Sequence, residues 1–120
     1  MKILLVDDDK LLTTLMESIL QENGHSVEVV SEGREALKRT RDSSIDLVIS
    51  DWFLKGEIQG LDVIRAFTTA ACKAKLAVMT GMPRESLQKQ LHEFPKVEMI
   101  EKAIDLDGLT EQILGLVPKQ

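Results

Sequence analysis

Cys72 is the only cysteine, so no internal disulfide can form, and a reducing compartment fits that usage. No apolar run approaches the roughly 20 residues that a membrane-spanning helix needs. Met1 leads straight into an apolar, strand-like stretch. It lacks the charged n-region and apolar h-region of a secretory leader. Basic charge is also short: 15 Lys and Arg stand against 20 Asp and Glu, a net charge of −5. That balance argues against direct nucleic-acid binding, which wants a basic patch. No internal repeat, low-complexity tract or linker interrupts the chain. These absences predict a cytoplasmic protein with no membrane association. The 120 residues read as one domain over 1–120, with Val117-Pro118-Lys119-Gln120 as its end.

What is present is organised around Ile45 to Leu54. Ile45, Leu47, Val48 and Ile49 form a short apolar run, broken by Asp46 and ended by Ser50-Asp51. A short run rich in β-branched residues reads as a buried parallel strand. Similar strands are expected at Lys2–Val6, Ser26–Val30, Leu76–Met79 and Val97–Glu101. Helices are expected between and after them. Lys10–Asn23 carries Leu11, Leu12, Leu15, Met16, Ile19 and Leu20 at helical spacing, with Asp9 as N-cap and Asn23-Gly24 as its stop. Ser31–Arg41, Leu61–Ala71 and a segment from Pro83 to about His92 read as the next three. Asp105 starts the last, with Leu106, Leu109, Ile113 and Leu116 inward. Five strand–helix alternations with short connections imply an α/β fold: a three-layer, doubly wound parallel sheet of flavodoxin-like order 2-1-3-4-5.

In that order the switch point lies between strands 1 and 3, which end in Asp7-Asp8 and Asp51. Three carboxylates therefore converge in one crevice. A hard divalent cation such as Mg2+ relieves their repulsion and suits a site shared with phosphate and water. Asp51 is placed to act as a nucleophile towards a phosphoryl group. Thr80 and Lys102 end strands 4 and 5 on the same rim, where a hydroxyl and an ammonium can hold phosphoryl oxygens. Gly81 leaves room beside them.

With these residues in view, the chain resembles the receiver domains of two-component response regulators, of the chemotaxis-receiver kind. The resemblance rests on Ile3-Leu4-Leu5-Val6-Asp7-Asp8-Asp9, Asp51-Trp52, Gly60-Leu61, Met79-Thr80-Gly81 and Lys102, in that order and spacing. It implies a phosphorelay switch in which Asp51 accepts a phosphoryl group from a histidine kinase or histidine phosphotransfer protein. It implies Mg2+ held by Asp8, Asp51 and the main-chain carbonyl of Phe53, with Asp7 acting through water. Thr80 and Lys102 would hold the phosphoryl oxygens. An output surface with Arg84, Gln88, Met99 and Glu101 would meet a downstream effector, and a phosphorylation-linked dimer is a further form of output. Such a domain is not an enzyme beyond Mg-dependent self-phosphorylation and self-dephosphorylation.

The chain also departs from the family pattern. Ala103 follows Lys102 where the family usually has proline. A cis bond before alanine would cost about 2.5–4 kcal/mol, so a trans turn is expected there. Met99 replaces the usual aromatic residue, which excludes aromatic rotamer switching. The loop before Gly60 is one residue longer and lacks a proline near Lys55. Phe53 and Met82 flank the line by which water would approach Asp51, and both are apolar, which predicts slow self-dephosphorylation. An aspartyl phosphohydrolase would carry a second acid at the Phe53 position, so that class is disfavoured. A phosphate-independent, receiver-like interaction module is the alternative function. Trp52 reads as a semi-exposed cover at the site edge. His25 and His92 read as surface residues, and Cys72 as a small filler.

Overall fold

The structure, a computed structural model, describes residues 1–102 and 105–117. Ala103, the Leu106 side chain and residues 118–120 lie outside the described residues, and with them the expected trans turn, the inward Leu106 and the last three residues of the expected domain end. The elements are β1 (Lys2–Val6), α1 (Lys10–Glu22), β2 (Ser26–Val30), α2 (Gly33–Leu37), β3 (Leu47–Asp51), α3 (Gly60–Thr69), β4 (Lys75–Thr80), α4 (Arg84–Gln88), β5 (Glu98–Glu101) and α5 (Leu106–Gly115). The strands form one sheet in the order β2-β1-β3-β4-β5, and every pairing is parallel. This is the flavodoxin-like arrangement expected from the alternation of elements.

Successive strand residues point to opposite faces, so one strand feeds two cores. Ile3, Leu5, Leu47, Ile49, Ala77, Met79 and Ile100 pack on one face with Met16 and Leu20 of α1 and Leu109 and Ile113 of α5. Leu4, Val6 and Val48 pack on the other face with Ala36 of α2 and Val63 and Phe67 of α3. Val78 continues that side with Trp52, Ile64 and Leu87. Asp9 caps α1 by accepting the Leu12 N–H at 3.1 Å, and Asp105 caps α5 by accepting the Gly108 N–H at 2.8 Å. Gly24, with φ of +87°, ends the α1 segment in the left-handed conformation that glycine tolerates.

Several local expectations are corrected. The six apolar residues of α1 do not share one buried face, because they spread too far around the helix. Met16 and Leu20 are buried, while Leu11 is 83% exposed and Leu15 is also exposed. α2 is regular only over Gly33–Leu37, and turns carry the chain on from there. α4 is regular only over Arg84–Gln88, with Pro83 as its N-cap. Trp52 is 8% exposed and belongs to the α4-side core, because its N–H donates to the Met79 carbonyl at 2.8 Å and carries it one residue past β3. His25 is buried, not superficial. The turn at Gly24 folds it back so that Nδ1 lies 3.0 Å from the Met1 amino nitrogen. Burial, then the nearby amino charge, lowers its pKa.

Gly60 joins fold to site. Its N–H donates to the Trp52 carbonyl at 3.1 Å, pressing the first turn of α3 against the end of β3. A Cβ there would lie 2.2 Å from the Asp51 carbonyl oxygen and 2.9 Å from Trp52 Cα. Both are backbone atoms and cannot yield cheaply. Gly60→Ala should therefore lower stability by about 1–3 kcal/mol or more, read as a reduced midpoint of urea unfolding at unchanged slope.

Candidate functional site

The expected residues meet at the carboxyl end of the sheet. Asp51 is the last residue of β3 and Thr80 the last of β4. Asp7 follows β1, and Lys102 follows β5. Backbone bonds extend the sheet past the strand ends and fix these positions. The Asp7 N–H donates to the Val30 carbonyl at 3.1 Å, and the Lys102 N–H donates to the Thr80 carbonyl at 2.8 Å. Asp7, Asp51 and Thr80 are buried, while Asp8 is half-buried.

Lys102 is the electrostatic hub. Its Nζ lies 2.9 Å from Asp51 Oδ2 and 3.0 Å from Asp7 Oδ2. Asp7 Oδ1 accepts the Asp9 N–H at 3.0 Å, whereas buried Oδ2 makes ion-pair contact with Lys102 outside hydrogen-bond geometry. Burial pushes the Asp51 carboxyl up to about 6; Lys102 pulls it down, and the Asp7 charge pushes it up again. Burial alone would lower the Lys102 ammonium, yet its contacts with Asp51 and Asp7 raise it. At Asp51 one cation thus only partly offsets burial and the neighbouring negative charge.

Oxygen atoms of Asp7, Asp8 and Asp51 lie within 4.8 Å of one another. An all-oxygen donor set with an underused buried carboxylate oxygen fits a hard divalent cation, and Mg2+ is the expected one. Thr80 Oγ1 accepts the Met82 N–H at 2.9 Å, so the hydroxyl is held in a local turn at the rim. Lys55 adds a contact that sequence spacing did not reveal: its Nζ lies 3.9 Å from Asp8 Oδ2. That side chain is largely exposed, so the pair is weak. Phe53 is 63% exposed and lines a shallow hollow with Trp52, Gln59, Leu61 and Asp62, while Met82 is half-buried. His92 is exposed, and Cys72 is half-buried against the α3-side core.

Residues 3–114 match the family model described as the response regulator receiver domain. The chain belongs to that family. Receiver domains of this kind are phosphorylation-based signalling modules of two-component systems rather than conventional enzymes. The transcriptional regulatory protein CpxR of Escherichia coli K12 is 30% identical over 115 residues, covering 96% of this chain and 38% of its relative. The alkaline phosphatase synthesis transcriptional regulatory protein PhoP of Bacillus subtilis is 32% identical over 84 residues, covering 70% of this chain and 35% of its relative. This chain thus spans little more than a third of those regulators. Among solved structures, the Vibrio cholerae chemotaxis protein CheY4 superposes with a TM-score of 0.81 at 20% identity, covering 97% of this receiver and 98% of that chain. The receiver domain of HemR from Leptospira biflexa gives 0.81 at 23% identity, covering 99% and 98%. At such identities the structural likeness speaks for the fold alone. Among the described residues no helix is long and apolar enough to cross a membrane.

The raised Asp51 carboxyl has a consequence for stability. The folded receiver holds this proton more tightly than an unfolded chain, whose ordinary value is 3.8. The linkage slope is therefore negative: this group's contribution is greatest at low pH and is lost as pH rises through about 6. Asp51→Asn removes the penalty. In metal-free buffer at neutral pH the variant should be more stable than wild type by roughly 1–3 kcal/mol, with a flatter decline from acid to neutral pH. Thermal unfolding across that range checks it.

Proposed function

We propose that this receiver is a phosphorylation-dependent switch whose phosphoacceptor is Asp51. The observation that carries the reading is the convergence of Asp7, Asp8 and Asp51 on one rim with Lys102 Nζ bridging two of them. Asp51 is the only one of the three that ends a central strand, between β1 and β4 in the sheet. A carboxylate oxygen of Asp51 attacks the phosphorus of a phosphohistidine or a small acyl phosphate. The bond from phosphorus to the donor's nitrogen or oxygen breaks, and the donor leaves with that electron pair. Asp7, Asp8, Asp51 and the Phe53 carbonyl are the groups that would hold Mg2+, which when bound supplies charge compensation on the phosphoryl oxygens.

The chain's own groups do the rest. Lys102 sits against Asp51 and can move from carboxylate to phosphoryl oxygen with little displacement. A hydroxyl accepts and donates at once, so Thr80 can keep the Met82 N–H while donating its own O–H to the phosphate, and any turn towards the phosphate pulls on the Met82 amide. That pull on the turn after β4 is a local event able to bias the α4 region that follows. The partners on this reading are a histidine kinase or phosphotransfer protein upstream and an effector protein downstream. Arg84 and Gln88 on exposed α4, with Met99 and Glu101 on β5, form the output surface. The domain works in the cytoplasm as a single unit over 1–120, and phosphorylation-linked dimerisation is one form of its output.

Incubation with acetyl phosphate and Mg2+ should add one phosphoryl group, seen by intact mass, to wild type and none to Asp51→Asn. Absence of labelling under conditions that label a control receiver would overturn the reading. The apolar Phe53 and Met82 side chains cannot position water for hydrolysis, so the acyl phosphate should decay slowly. Phe53→Asn should speed that decay by roughly 2–10-fold, a barrier reduction of up to about 1.4 kcal/mol. The decay of the labelled mass with time measures it.

A further inference from the structure

Gln59 has no place among the reactive groups, yet its side chain makes three hydrogen bonds back across the loop between β3 and α3. Its Oε1 accepts the Leu54 N–H at 2.9 Å. Its Nε2 donates to the Leu54 carbonyl at 2.8 Å and to the Gly56 carbonyl at 2.9 Å. Its own N–H donates to Asp62 Oδ2 at 2.8 Å, which ties it to the first turn of α3. The loop turns at Gly56, with φ of +92°, and Lys55, Gly56 and Glu57 are exposed. Little packing holds that stretch, so the Gln59 amide is its internal brace.

The Leu54 N–H and the Phe53 carbonyl belong to one planar peptide group. In a trans peptide they point in opposite directions, and no cis bond occurs among the described residues. By binding the Leu54 N–H, Gln59 fixes the plane of that group and turns the Phe53 carbonyl away from the loop interior. Among the described residues that carbonyl accepts no backbone hydrogen bond outside regular elements, so its lone pairs remain available. Asp51 lies two residues before it.

We propose that Gln59 is a positioning residue for the divalent-cation site. Its side-chain amide orients the Phe53–Leu54 peptide so that the Phe53 carbonyl faces the cluster of Asp7, Asp8 and Asp51. The inference rests on the reading that this cluster binds Mg2+. It makes the longer loop of this receiver a pre-organised part of the site. Outer partners that orient a metal ligand typically alter affinity by about 10–100-fold when removed.

Gln59→Met keeps the length of the side chain and removes its strong donors and acceptor. Titration of the metal-free protein with MgCl2, followed by backbone amide shifts at residues 52–54 and by the fluorescence of Trp52, the only tryptophan, reads the affinity directly. The variant should bind Mg2+ about tenfold more weakly or worse, and its Leu54 amide should lose protection from hydrogen exchange. Asn23→Ala provides the control for a merely structural effect. It removes the bond from Asn23 Nδ2 to the Ile19 carbonyl at the far end of α1. It should lower the melting temperature and leave Mg2+ affinity unchanged. If Gln59→Met binds Mg2+ as tightly as wild type, the positioning role is wrong while the switch reading stands. If folded wild type shows no Mg2+ response at residues 52–54, the cation site itself is wrong and the role of Gln59 falls with it.

Discussion

Crowded negative charge at one end of a parallel sheet is the constraint on which the rest of this receiver depends. Asp7 and Asp51 are both buried, and Asp8 completes a cluster whose oxygens lie within 4.8 Å. Buried carboxylates without compensation are costly. Lys102 supplies the compensation by placing Nζ 2.9 Å from Asp51 and 3.0 Å from Asp7. The offset is incomplete: burial, and after it the Asp7 charge, still push the Asp51 carboxyl up to about 6 against the pull of Lys102. A site left short of positive charge is suited to gain a cation and to exchange partners.

The scaffold that holds this charge is stiff where the acids sit and adaptable around them. β1, β3 and β4 are interior strands with apolar cores on both faces, so Asp7, Asp51 and Thr80 project from a rigid rim. Gly60 admits α3 against the end of β3 with no room for a side chain. Side-chain amides then secure backbone that the sheet cannot. Gln59 braces the loop after Asp51. Gln112 of α5 does the same at the edge strand, accepting the Glu101 N–H at 3.1 Å and donating to the Glu101 carbonyl at 3.2 Å. That second clamp steadies the residue before Lys102, where β5, among the described residues, pairs on one side only. Amide side chains suit such duty because each carries a donor and an acceptor.

Similarity to other receivers fits this division. The fold superposes on chains only 20–23% identical, with TM-scores of 0.81. At that identity most residues differ while the fold is kept. The curated relatives extend well beyond the matched region, of which this chain spans 35–38%. Their names as transcriptional regulators describe those longer proteins. What this chain shares with them is the receiver itself.

The sequence by itself determined the architecture and which polar residues meet at the carboxyl end of the sheet. Short continuous apolar runs, spaced by helical segments, imply a parallel sheet whose order follows from connection length and handedness, and a polar residue that ends such a run needs no tertiary detail to be located. Asp7, Asp8, Asp51, Thr80 and Lys102 were legible for that reason. Only the tertiary structure decided which apolar residues of α1 are covered, since Leu11 and Leu15 fit the helical period but face outward. It also decided that Trp52 and His25 are buried, because each depends on where a turn after a regular element sends the chain. The role of Gln59 was invisible to pattern. Its partners are backbone groups, which every sequence possesses, and only the closed loop brings Leu54 and Gly56 within reach of that amide.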